Sequence, residues 1–93
     1  MRGSFSHEAA ETMALRGLAW LASMPDDIGR FLNVTGVAAD ELRARAGEPE
    51  FLAAVMDFLL GDDKLLMGFC DAEGLDPKDV HVARRALPGA HEP

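Results

Sequence analysis

Ninety-three residues weighing 10.0 kDa, 48% of them hydrophobic and 27% charged, describe one globular domain and exclude a multidomain or natively disordered chain. Nine Lys and Arg against 16 Asp and Glu leave a formal net charge of −7, which repels the phosphate backbone of nucleic acids and the surface of anionic lipid. The single cysteine, Cys70, excludes an intrachain disulfide and a Cys-x-x-Cys redox pair, so the compartment reads as reducing.

Residues 1–5 read as a disordered leader, Met1-Arg2-Gly3-Ser4 resembling the start of an expression leader, and residues 90–93 as a disordered tail. Between them, 6–89 is expected to form one helical domain. No basic stretch followed by an apolar signal core is seen, so a cytoplasmic location is expected. The first predicted helix, about Ser6 to Ser23, places Ala10, Met13, Ala14, Gly17, Leu18 and Leu21 at helical spacing. Leu15, Ala19, Trp20 and Ala22 extend its apolar surface, so it should touch neighbours on two sides. Pro25 suits the first position of a second helix, with Asp26 and Asp27 at its positive dipole end, running to about Val34. Gly36 ends that helix, and Asp40, Glu41, Leu42, Arg43 and Arg45 form a short third one stopped near Gly47.

Pro49 opens the fourth helix, which is apolar nearly all round through Phe51, Leu52, Val55, Met56, Phe58, Leu59 and Leu60 and should be central. That run is interrupted by Asp57 and falls well short of the ~20 residues a membrane span requires. Gly61-Asp62-Asp63 breaks and caps it. A fifth helix carries Leu65, Leu66, Phe69 and Cys70 inward and ends at Gly74; Asp76-Pro77 starts a sixth through Val80, Ala83 and Leu87. The β-branched and aromatic residues that strands favour are thin and no long alternation occurs, so the fold class is all-α, a compact bundle of about six short helices.

Sliding the sequence against itself by 38 positions sets Met13 on Phe51, Trp20 on Phe58, Leu21 on Leu59, Ile28 on Leu66, Phe31 on Phe69 and Gly36 on Gly74. Two readings stay open at this level: a pseudo-twofold pair of three-helix units, Ser6 to Ala46 and Pro49 to Leu87, or the general likeness of any two glycine-capped helical hairpins.

Chemistry-bearing groups are few. His7 and His91 lie near the chain ends, which leaves His81 and Cys70, eleven residues apart on different helices. Cys70 follows Phe69 on an apolar stripe, the setting of a buried cysteine, and His81 reads as a surface residue. Seven acids between Asp57 and Asp79 face only Lys64 and Lys78, but their spacing does not match a calcium loop, and helix caps explain most of them. Asn33-Val34-Thr35 matches the glycosylation sequon incidentally. No catalytic residue, metal or cofactor is therefore expected. Phe31 to Ala46 has the outline of a helix-turn-helix, yet Asp40 and Glu41 stand where base-reading residues belong. Arg84 and Arg85, with Lys78 one to two turns earlier, form a local basic patch on an acidic chain, and Trp20 and Met24 are the other interaction candidates.

Leu18-Ala19-Trp20-Leu21, Phe31-Leu32 through Gly36, Leu42-Arg43, Phe51-Leu52 through Asp57-Phe58-Leu59-Leu60, Asp62-Asp63, Leu65-Leu66 and Ala83-Arg84-Arg85-Ala86-Leu87-Pro88-Gly89, in that order, resemble a family of small uncharacterised bacterial proteins. It is catalogued as a domain of unknown function, number three-five-seven-two, and the likeness covers roughly Glu8 to Gly89. The resemblance implies a small helical bacterial protein and brings no catalytic or binding residue with it. The function expected is a non-enzymatic protein–protein interaction or adaptor module, acting on a protein partner or as a homodimer through Arg84, Arg85, Lys78 and Trp20. A DNA-associated regulator using residues 31–46 is the alternative, disfavoured by charge, and a small enzyme built round His81 and Cys70 ranks third.

Overall fold

The computed structural model describes residues 5–89, and its elements begin where the sequence places caps and prolines. Helix α1 (His7–Ala22) starts at Ser6, whose hydroxyl accepts the Ala9 N–H at 3.0 Å. Helices α2 (Pro25–Thr35), α4 (Pro49–Leu60) and α6 (Pro77–Arg85) each carry proline in the first turn, where no N–H is required. Helix α5 (Asp63–Glu73) is capped by Asp62, which accepts the N–H groups of Lys64 and Leu65 at 3.0 and 3.2 Å. Between α2 and α4 the chain makes a 3₁₀ turn, Ala39–Glu41, and one α turn, α3 (Leu42–Arg45). The described residues thus form an all-α bundle of six helices, with no strand among them. No helix among them is long and apolar enough to cross a membrane.

Helix α4 is the centre of the bundle. It packs along α1, its largest neighbour, and also meets α2, α5 and α6. Its Phe51, Leu52, Ala53, Val55, Met56 and Leu59 are buried, and only Glu50 and Asp57 are exposed. The heart of the core is Phe31 and Phe69, both at 0% exposure. Phe5, which the sequence assigns to a leader, packs against this core; residues 1–4 and 90–93 of the expected leader and tail lie outside the described residues.

Two aromatic contacts correspond between the halves. Trp20 leans on Phe69 with ring centroids 5.8 Å apart, and their 38-residue equivalents, Phe58 and Phe31, meet at 5.3 Å. Five buried positions of α1, Met13, Ala14, Gly17, Leu18 and Leu21, correspond to buried Phe51, Leu52, Val55, Met56 and Leu59 of α4, while Ala10 and Ala53 have no buried counterpart. Gly36 and Gly74 end α2 and α5 at φ +75° and +68°, a left-handed conformation that only glycine adopts without strain. The halves part company at α3 and α6: α6 buries Val80 and Ala83, whereas no residue of α3 is buried.

Candidate functional site

Trp20 lies in the last turn of α1, half-buried, with the edge of its indole against Gly68 of α5. A Cβ at position 68 would stand 3.0 Å from the ring, so the seat of the Trp20 ring on α5 depends on that glycine. Beside the ring opens a groove of about 450 Å³, floored by Trp20, Met24, Leu65 and Gly68 and rimmed by Asp27, Arg30, Asp62 and Lys64. It sits where the N-terminal ends of α2 and α5 come together. A volume of this order suits a side chain or small ligand.

Arg30 divides this groove from a second. Its guanidinium lies 3.0 Å from Asp27 and 3.5 Å from Asp62, and its carbon is 5.3 Å from the Phe58 ring centroid. Beyond it a trough of about 410 Å³ runs between Phe58, Phe31, Val34 and Ala54. The backbone N–H groups of Leu65 and Lys64, with Arg30 adding to them, hold the Asp62 carboxyl below the usual carboxylate range. Arg30 is raised in turn, chiefly by its hydrogen bond to Asp27. This grouping was only partly legible in the sequence: Asp27 and Arg30 stand at i, i+3 on one helix, but Asp62 is 32 residues further on.

The basic end of α6 divides into two kinds of residue. Arg84, expected to share an open patch with Arg85, is instead a clasp. Its Nε and Nη2 donate to the Asp57 carboxylate at 2.6 and 3.2 Å, and its Nη1 donates to the Leu87 and Pro88 carbonyls at 3.2 and 3.1 Å. With its side chain only 13% exposed, the guanidinium is engaged on every side. Lys78 and Arg85 are exposed on the outer face of α6, with His81 between them, and form no ion pair among the described residues.

The remaining candidates lie apart. Cys70 is 3% exposed in α5, and burial first, then Asp71, Asp76 and Asp79, pushes its thiol up, away from the reactive thiolate. His81 faces solvent, and no hydrogen bond joins it to Cys70. In the 31–46 segment the second helix of the expected pair is reduced to one α turn. Arg45 is held there, its Nε 3.0 Å from Glu48 and its guanidinium 5.9 Å from the Phe51 ring centroid. Asp40 and Glu41 stand exposed ahead of that turn, and Glu41 accepts the Ala38 N–H at 2.9 Å. Among the described residues no group of three His, Cys, Asp or Glu side chains is placed to hold a metal ion.

Comparison with known proteins agrees with the resemblance seen in the sequence. The family described as "Protein of unknown function (DUF3572)" has a model that matches residues 7–90. No curated protein and no solved structure matches the chain. The chain belongs to the DUF3572 family over nearly its whole length.

Proposed function

We propose that this member of a family of unknown function is a non-enzymatic protein–protein interaction module whose partner seats in the Trp20 groove. One observation carries the reading: Trp20 stands half-buried as the wall of an open groove, with Met24 beside it and Arg30 on the rim. Tryptophan and arginine are the residue types most enriched at binding hot spots, and methionine adapts to irregular partner surfaces. The groove lies on the ends of three packed helices, so its walls are pre-organised and little ordering opposes binding. The exposed pair Lys78 and Arg85 is a second, accessory contact on the same chain, and a second copy of the chain is one form the partner can take.

The test is affinity capture from native lysate, with and without nuclease, comparing the wild type with two double variants. Trp20→Phe with Met24→Ser trims the groove while keeping an aromatic ring on Phe69 and supplying the capping hydroxyl that α2 lacks. Lys78→Ala with Arg85→Ala removes the exposed cations. A nuclease-resistant partner, heterologous or a second copy, that the groove variant fails to capture supports the reading. Capture that disappears with nuclease, or that survives the groove variant undiminished, overturns it.

A further inference from the structure

Resting on the reading of the Trp20 groove as a docking site, we propose that its occupant is a basic segment of a partner protein. One arginine or lysine of that segment lays its stem on Trp20 and its charge between Asp27 and Asp62, displacing Arg30.

Arg30 shows the chemistry that this place accepts. A guanidinium already bridges the two carboxylates, at 3.0 and 3.5 Å, over an aromatic face. The bridge is loosely held, because the Arg30 side chain is 54% exposed and the Asp62 contact is long. Exposed pairs of this kind add little stability, so their exchange for a partner's cation is cheap. The 38-residue correspondence sharpens the point. Phe58 has the Arg30 guanidinium over its ring, but Trp20, its equivalent, faces Gly68 where the other half carries Arg30. Trp20, the ring type best suited to a cation, has none over it among the described residues.

Charge points the same way. Four acids, Asp26, Asp27, Asp62 and Asp63, stand at the two helix starts against Arg30 and Lys64, on a chain of net charge −7. Backbone N–H groups hold the Asp62 carboxylate and favour its charged form. An acidic segment would be repelled at the approach, whereas a basic one is steered in. The apolar floor of Met24, Leu65 and Trp20 receives the methylene stem of a long cationic side chain.

Trp20 is the only tryptophan and no tyrosine is present, so intrinsic fluorescence of the full-length protein reports on the groove directly. The probes are short alternating Arg-Ala, Lys-Ala and Glu-Ala peptides, free of aromatic residues, titrated at near-physiological salt. A saturable change in Trp20 emission is expected with the Arg and Lys peptides and none with the Glu peptide. Asp27→Asn with Asp62→Asn, which keeps a capping side chain on α5, should weaken the Arg peptide by about tenfold or more, as loss of charge-assisted bonds implies. Asp71→Asn with Asp79→Asn makes the same change in net charge elsewhere and should leave affinity within about twofold, since distant exposed charges are screened. Arg30→Ala, which removes the internal competitor, should tighten binding. Equal weakening by both double variants would reveal diffuse attraction to an acidic protein and overturn the proposal, as would a flat response to the basic peptides. Saturation by the Glu peptide alone overturns the basic occupant while leaving the groove as a docking site. The capture experiment, by contrast, addresses the groove itself.

Discussion

At Gly29, in the middle of α2, an added methyl group would meet nothing within 4 Å, whereas at Gly36 the backbone holds φ at +75° and at Gly68 the Trp20 ring is 3.0 Å from where a Cβ would stand. The three glycines therefore respond differently to the same change. Gly29→Ala should raise stability by about 0.5–1 kcal/mol, because alanine loses less freedom in a helix and nothing obstructs it. Gly36→Ala should lower it by about 1–2 kcal/mol, the cost of a left-handed L-residue. Gly68→Ala should lower it too, and it alone should shift Trp20 emission. Urea unfolding followed by circular dichroism and by fluorescence separates the three, and a stabilising Gly68→Ala would show that the indole is free to move. The capping role of Gly36 is legible from its place after an amphipathic run. The need for glycine at position 68 is not, because it depends on a residue 48 positions earlier whose ring only the tertiary fold brings near.

The starts and ends of helices were the most readable elements. Pro25, Pro49 and Pro77, the Asp62 and Asp76 caps and the two left-handed glycines all act locally, so their residue types announce them. Helix α3 is shorter than its composition predicts at its start rather than its end: Ala39–Glu41 wind as a 3₁₀ turn, with the Glu41 carboxylate accepting the Ala38 N–H, and only Leu42–Arg45 are α-helical. Arg84 was misread for a reason of distance: its carboxylate partner, Asp57, lies 27 residues earlier on α4. Since the clasp joins α6 to α4 and satisfies two carbonyls past the end of α6, Arg84→Ala should cost about 1–3 kcal/mol, the scale of charged hydrogen bonds left unmade. Arg84→Lys should recover little, because an ammonium cannot reproduce the planar fork, while Arg85→Ala should stay within about 0.5 kcal/mol of the wild type. Thermal unfolding of the three variants checks the ranking, and equal losses at 84 and 85 would contradict the clasp. The Asp62 cap adds a pH signature. Its folded carboxyl titrates below the unfolded value of about 3.9, so its contribution is present above that pH and is lost as pH falls through the lower folded value. Asp62→Asn, which still caps, should flatten that part of the acid limb of a stability-versus-pH curve; an unchanged limb would assign it to other carboxylates.

On the scale of the whole molecule, each half supplies core that the other lacks. Phe31, fully buried in the first half, has both of its aromatic neighbours, Phe51 and Phe58, in the second. Trp20 of the first half rests on Gly68 and Phe69 of the second, and α1 lies along α4 as the main contact. Neither half alone can cover these surfaces, and a chain of about 45 residues without disulfide or metal is at the limit of independent folding. Separate peptides covering residues 1–47 and 48–93 should therefore show low helicity alone and regain helical circular dichroism and the native Trp20 emission when mixed. Charge favours the mixed pair over either half with itself. The first half carries five Lys and Arg against six Asp and Glu, and the second four against ten, giving −1 and −6. Two copies of the second half repel one another strongly, whereas a nearly neutral first half meets it with little electrostatic penalty. The mixed complex should consequently persist at low ionic strength, where self-pairing of the second half is weakest, and salt should narrow the difference. A first half that reached native helicity and unfolded cooperatively by itself would show that the two halves are autonomous, and that the aromatic exchange between them is a packing detail rather than the basis of the fold.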